Sequence, residues 1–364
     1  MDAAAVGARG AGDADAAQGE VVLIAELHTV WDDVGAVRVR GRVNPPALAR
    51  EQSTPHVVMV HGLGMATDYL EPTMRALGER VAVSALDLPG LGGSRRRAAG
   101  ESRSLDPALR APLGMTDSAS GAVIPSERSA QPVIPSERSE SRNLHPVIPS
   151  ERSESRNLHL VIPSERSESR NPHRRAASLE QLAWALTEWL RVRGIASPVL
   201  VGQSYGCQVV VEAVTRAPAI ASAIVLNAPT MLAERRSVVG QLLLVARDTP
   251  REPLSLLPHV VGDYLRAGPV RILATLRDAL RDRIEEKLPA APVPVSIVTG
   301  ERDPVSPPAW CERLARLAGS RSGTPARFVL VPGAAHALPF THPEALAAEI
   351  LAAVHSLAAV RART

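Results

Sequence analysis

The residues Val199–Gly206 read VLVGQSYG, an apolar run that stops at Gly202 and leaves Ser204 between two glycines. A hydroxyl at the end of a buried strand suits nucleophilic attack from a sharp strand-to-helix turn. The backbone at such a serine is strained, so the positions two before and two after, Gly202 and Gly206, must be small. The hydroxyl then projects beside a helix N-terminus whose free N–H groups favour negative charge. G-x-S-x-G also describes an ordinary tight turn, so the pattern needs partners. A serine hydroxyl is a poor nucleophile without a base in hydrogen-bond reach. His336 is the candidate base, because it alone of the ten histidines sits in the loop directly after the last expected strand. Its bland alternative is a structural loop histidine. The imidazolium formed during attack needs a carboxylate to orient it. Asp303, just past the preceding strand, is the candidate. It also reads as a plain Asp-Pro turn, and Glu301 and Asp87 are rivals.

These residues need elements to hold them. Strand-like runs occupy Val21–Leu27 and Val34–Arg40, then HVVMVHGLG (His56–Gly64) and RVAVSALDLPGLGGS (Arg80–Ser94). Further strands are expected at Pro198–Gly202, Ser222–Leu226, Val293–Gly300 and Arg327–Gly333. Continuous β-branched runs with helical spacers predict a parallel sheet buried on both faces. SLEQLAWALTEWLRVRG, from Ser178, has apolar residues at helical spacing, with Ser178 as N-cap and Gly194 as stop. Helices are also expected over Tyr205–Arg216, over several stretches of 229–290, and over His342–Ala358.

At this point the chain resembles the α/β-hydrolase superfamily. HGLG (His61–Gly64) is similar to the family's oxyanion loop, and DLPGLGGS (Asp87–Ser94) to its turn after the fourth strand. GERDPVSP (Gly300–Pro307) is similar to the acid-bearing loop, and PGAAHALP (Pro332–Pro339) to the terminal histidine loop. The motifs stand in the family's order across roughly 21–94 and 178–360. The resemblance implies an α/β-hydrolase fold: a mostly parallel central sheet flanked by helices, with a helical cap over 229–290. It implies a Ser204, Asp303, His336 triad, in the chain order expected of that fold. The backbone N–H groups of Leu63 and Tyr205 are the implied oxyanion donors. His61 is then structural, Asp87 a turn residue and Cys207 a packing residue.

The implied activity is that of a serine hydrolase acting on a carboxylic ester or related acyl bond of a small molecule. No cofactor and no metal are implied. The cap segments QLLLVA and DYLRAGPVRILATL are amphipathic and expected to wall an apolar acyl pocket. Three alternatives stay open: a C–C bond hydrolase of the same fold, a non-catalytic ligand-binding protein on this scaffold, and a product disabled by its insertion. The elbow GQSYGC departs from the small-residue-rich elbow of the C–C hydrolases.

That insertion is the odd part of the chain. VIPSERS begins at Val123, Val133, Val147 and Val161, and the last three copies run on to VIPSERSESRN. Each unit offers too few apolar residues to offset chain entropy. Residues 95–177 are therefore expected to be a disordered low-complexity insertion at a surface connection, and residues 1–20 a disordered N-terminus. Elsewhere composition allows a large core, with hydrophobic residues at 45% of 364. A net charge of +3 and only 2% aromatics argue against nucleic-acid binding. No membrane-spanning run is visible, residues 1–20 show neither the basic nor the apolar region of a secretory signal, and the two cysteines suit a reducing compartment, so a cytoplasmic protein is expected. The oligomeric state has no signal in the sequence.

Overall fold

The computed structural model describes residues 26–49, 54–96 and 176–361. Contacts divide the chain into one unit of Met1–Ala99 with Asn171–Thr364 and a second of Gly100–Arg170. The second unit lies wholly outside the described residues, as do residues 1–20 and most of the expected insertion. All the described elements belong to the first unit.

Its strands are β1 (His28–Val34), β2 (Val37–Val43), β3 (His56–Val60), β4 (Ala82–Leu86), β5 (Arg95–Arg96), β6 (Val199–Gln203), β7 (Ala223–Asn227), β8 (Val295–Gly300) and β9 (Ala326–Val331). Its helices are α1 (Pro45–Ala49), α2 (Glu71–Leu77), α3 (Leu179–Arg193), α4 (Tyr205–Arg216), α5 (Val238–Asp248), α6 (Leu257–Ala267), α7 (Pro269–Ala279), α8 (Ile284–Lys287), α9 (Pro308–Leu317), α10 (Leu338–Thr341) and α11 (Pro343–Arg361). The sheet order is β1-β2-β4-β3-β6-β7-β8-β9, with β5 paired to β2. From β4 to β9 every neighbouring pair is parallel, and the β1–β2 hairpin joins β4 antiparallel at one edge.

The parallel strands β4, β6 and β7 are buried throughout, as AVSAL, VLVGQ and AIVLN require. Side chains alternate across the sheet. From β3, Val58 and Val60 join Leu186, Trp189 and Val209 on one side, while Val57 and Met59 join Met74, Leu77, Leu346 and Ile350 on the other. Helix α3 starts as its sequence demands. Ser178 Oγ accepts from Gln181 N, the Gln181 side chain accepts from Ser178 N, and Gly194 closes the helix in the left-handed conformation.

Two expectations are corrected. Residues 26 and 27 are not strand, and residues 21–25 lie outside the described part. The first strand among the described residues is β1, and its hairpin with β2 turns at Gly35 (φ 57°). An edge strand in a hairpin needs no continuous apolar run, and β1 buries the polar Asp32, which accepts from Trp189 Nε1 at 2.9 Å and pairs with Arg193 at 3.2 Å. The expected insertion also begins too early and ends too late. Arg95 and Arg96 form β5 opposite Arg38 and Val37, and Ala177 packs against the core.

Candidate active site

Strand β6 delivers its last residue, Gln203, to a turn in which Ser204 has φ 54° and ψ −119°. A non-glycine residue held there costs on the order of 1–3 kcal/mol and persists only where its surroundings fix it. Ser204 N donates to Asn227 O at 2.9 Å, and Ser204 O accepts from Cys207 N at 3.0 Å. The flanking glycines are steric necessities. A Cβ on Gly202 would lie 2.6 Å from Cys207 Cα, and one on Gly206 would lie 2.3 Å from Val60 O. The turn is thus pressed against the end of β3, and α4 starts directly behind the hydroxyl.

The loop after β9 brings His336 to this turn. Its Nε2 lies 3.2 Å from Ser204 Oγ, and its Nδ1 lies 2.8 Å from Asp303 Oδ2. A carboxylate at Nδ1 fixes the proton there, which leaves Nε2 free to accept from the serine. Asp303 is buried, and its Oδ1 accepts from Val305 N at 2.7 Å and Ser306 N at 2.8 Å. The rival carboxylates lie elsewhere. Glu301 accepts from Gly333 N at 2.8 Å and is exposed. Asp87 accepts from Thr67 N at 2.7 Å and Gly93 N at 2.6 Å, which makes it the organiser of its own turn.

The loop after β3 faces the serine from the other side: a Cβ on Gly62 would meet Ser204 Cβ at 3.2 Å. His61 is buried, with Nδ1 on Gly62 O at 2.8 Å and Nε2 accepting from Leu88 N at 2.9 Å. Burial holds it below the usual histidine range, despite the nearby charge of Asp87. It therefore pins the loop rather than presenting a base. Among the described residues, neither Leu63 N–H nor Tyr205 N–H has a hydrogen-bond acceptor. The Tyr205 ring is buried in the core, so only its backbone can serve the site. Both cysteines are buried and unbridged. The Cys207 thiol faces Gly202 O and Asn227 O, and burial pushes it well above its ordinary range.

Several contacting residues carry no sequence signal. Gln203, a free position of the motif, donates to His336 O at 3.2 Å and accepts from Asn227 Nδ2. Asp248, at the end of α5, and Glu252, just after it, come from the stretch that follows β7. Glu252 accepts from Ala337 N at 2.7 Å, next to His336. Burial, reinforced by the charge of Asp303, pushes both carboxyls above the usual range, and His336 opposes that rise. Burial alone would lower the His336 imidazole, but Asp303, by charge and hydrogen bond, and then Asp248 and Glu252 raise it to about 9. Spacing could not have flagged these residues, since each meets the site through contacts far apart in the chain.

Helices α6 and α7 touch the loop after β3, where a Cβ on Gly64 would strike Ile272 and Tyr264. Of the segments expected to wall an apolar pocket, Ile272 and Tyr264 meet that loop and Leu276 packs against the core, whereas Leu242, Leu243 and Leu265 are exposed. The helices that carry these leucines turn other, largely polar, side chains inward. Among the described residues no helix is long and apolar enough to cross a membrane.

Residues 57–349 match the family model described as the alpha/beta hydrolase family. No curated protein matches the chain. Among solved structures it is similar to a thermophilic esterase from Thermogutta terrifontis, with a TM-score of 0.56 and 17% identity over 91% of this chain and 99% of that one. It is similar also to a membrane phospholipase A, a bacterial virulence factor (TM-score 0.57, 16% identity, 91% of this chain and 86% of that one). The enol-lactonase from Burkholderia xenovorans LB400 gives a TM-score of 0.51 and 14% identity over 90% of this chain and 100% of that one. At such identities the likeness is one of fold.

Proposed function

The chain belongs to the alpha/beta hydrolase family, and from that premise we propose that it hydrolyses a carboxylic ester or a related acyl bond through a serine-bound acyl-enzyme. The observation that carries the reading is the unbroken hydrogen-bond relay from Ser204 Oγ through His336 to Asp303, at 3.2 and 2.8 Å.

In this reading Ser204 Oγ attacks the acyl carbon while His336 Nε2 takes its proton. The carbonyl oxygen becomes an oxyanion held by the N–H groups of Leu63 and Tyr205, which have no other acceptor among the described residues. The intermediate collapses, the C–O bond to the leaving group breaks, and His336 returns the proton to the departing alcohol. Water then attacks the acyl-enzyme, giving its proton to Nε2, and the acid leaves as Ser204 recovers its hydrogen. Asp303 keeps the imidazole in the tautomer the relay needs and stabilises the imidazolium. Gln203 holds the backbone of the histidine loop at a fixed distance from the elbow.

A fluorophosphonate probe tests the proposal. It should label the wild-type chain and leave Ser204→Ala unlabelled. Equal labelling of the two, or none of either, would sink the nucleophile assignment, and the second outcome would favour a ligand-binding protein on this scaffold.

A further inference from the structure

A surface helix ordinarily turns its apolar stripe to the core. Helices α5 and α6 do the opposite. The residues α5 buries are Gln241 and Asp248, and those α6 buries are Asp263 and Ala267. Val260 packs against the core, but most of their apolar side chains face out: Val239 is 66% exposed, Leu243 62% and Leu265 77%, and Leu254 between the helices 87%. Twelve large apolar side chains are exposed among the described residues. Ten lie between 239 and 270, and the other two are Trp31 and Leu330. Concentrated exposure of this kind marks an interaction surface, whereas scattered apolar residues do not.

Charge on the same stretch is sorted by direction. Residues 237–271 carry three carboxylates, all turned inward. Asp248 and Asp263 are buried, and Glu252 holds Ala337 N. Four arginines accompany them. Arg271 reaches in to Gly90 O, and Arg266 bridges to Asp263 at 2.7 Å. Arg247 is exposed, Arg251 is half-buried, and neither has a carboxylate partner among the described residues. The outward face is therefore apolar side chains with guanidiniums and no carboxylate.

We propose that this face of the cap docks on an anionic lipid surface. The apolar side chains of α5 and α6 enter the boundary between headgroups and acyl chains, and Arg247 and Arg251 meet the phosphates. A second copy of the chain fits less well, because the face carries no outward carboxylate and a two-fold pairing would leave its guanidiniums without a counter-charge. The proposal concerns binding and does not rest on hydrolysis.

Flotation of the full chain with phosphatidylglycerol vesicles and with phosphatidylcholine vesicles tests it. The wild-type chain should float with the first far more than with the second, and less as salt rises. Leu243→Glu combined with Leu265→Glu should cut flotation by about tenfold or more. Arg247→Glu combined with Arg251→Glu should abolish the preference for phosphatidylglycerol. Both variants should keep the wild-type melting temperature and its rate on a short, water-soluble ester. Ser204→Ala should float like wild type, which separates this result from the catalytic reading. Wild-type chain that stays unbound, or variants that float as well as wild type, overturn the proposal. Two other outcomes do so as well. One is a dimer in sedimentation, broken by the leucine variant, with no vesicle binding. The other is vesicle binding that appears only after residues 97–175 are deleted, which would make that segment the natural cover.

Discussion

Three carboxyl groups surround the charge on His336: Asp303 by direct hydrogen bond, and Asp248 and Glu252 from the stretch around the end of α5. Each favours the imidazolium, and together they raise the imidazole to about 9 against the opposing effect of burial. The proposed base works only when neutral. With kcat/KM measured against pH, the rate should therefore climb as the imidazole loses its proton, with the midpoint of the rise near pH 9. Asp248→Asn and Glu252→Gln each remove a group that favours the charged form. Their acid limbs should move to lower pH, a change that a purely structural role would not produce. Asp303→Asn should behave differently, since it disturbs the tautomer itself. A loss in kcat of about a thousandfold or more is expected with the fold intact by circular dichroism. Glu301→Gln, whose carboxylate serves Gly333 N, should leave kcat near wild type. A collapse with Glu301→Gln and not with Asp303→Asn would reverse the assignment.

Elements differ in how much of their placement is written locally. Helix α3 could be read from its ends, because a capping serine, a glutamine three residues on and a closing glycine are local signals. Ser178→Ala should cost about 1 kcal/mol in denaturant unfolding. The elbow was legible for the same reason: its glycines answer contacts made within a few residues or with one neighbouring strand. Gly206→Ala should cost about 2 kcal/mol or more, because the new methyl meets a strand carbonyl that cannot move aside. Wild-type stability in that variant would show that the turn is looser than its geometry. By contrast, β1 hides its position behind Asp32, whose burial makes sense only beside Trp189 and Arg193, 157 and 161 residues away. The inward face of α5 is hidden in the sequence for a related reason. Periodicity finds an amphipathic helix but not which face it turns inward, and in α5 the inward face is the polar one.

At the scale of the whole molecule, the sheet is completed by two stretches of chain separated by residues 97–175. The first ends in β5, paired to β2, and the second begins at α3, packed on the core. Each boundary is anchored by contacts of its own. The sequence of the intervening segment offers no core-forming face, so its cost to the fold is expected to be loop closure, which grows only with the logarithm of length. Replacing 97–175 by a Gly/Ser linker of roughly ten residues should leave the melting temperature unchanged or raise it by a few degrees, equivalent to about 2 kcal/mol at most. A clear fall in calorimetry would mean that the segment contributes to the packed structure.

Both thiols of the chain are sealed, one behind the turn at Ser204 and one in α9 beneath the loop that carries Asp303. This makes them built-in clocks for opening at two points of the relay. A disulfide reagent can reach Cys207 only when α4 lifts from the sheet, and Cys311 only when α9 does. If the Ser204 turn and the Asp303 loop open together, the two cysteines should react in a single phase. Two phases, assigned by mass spectrometry of the modified peptides, would show which wall of the site yields first as the protein is warmed.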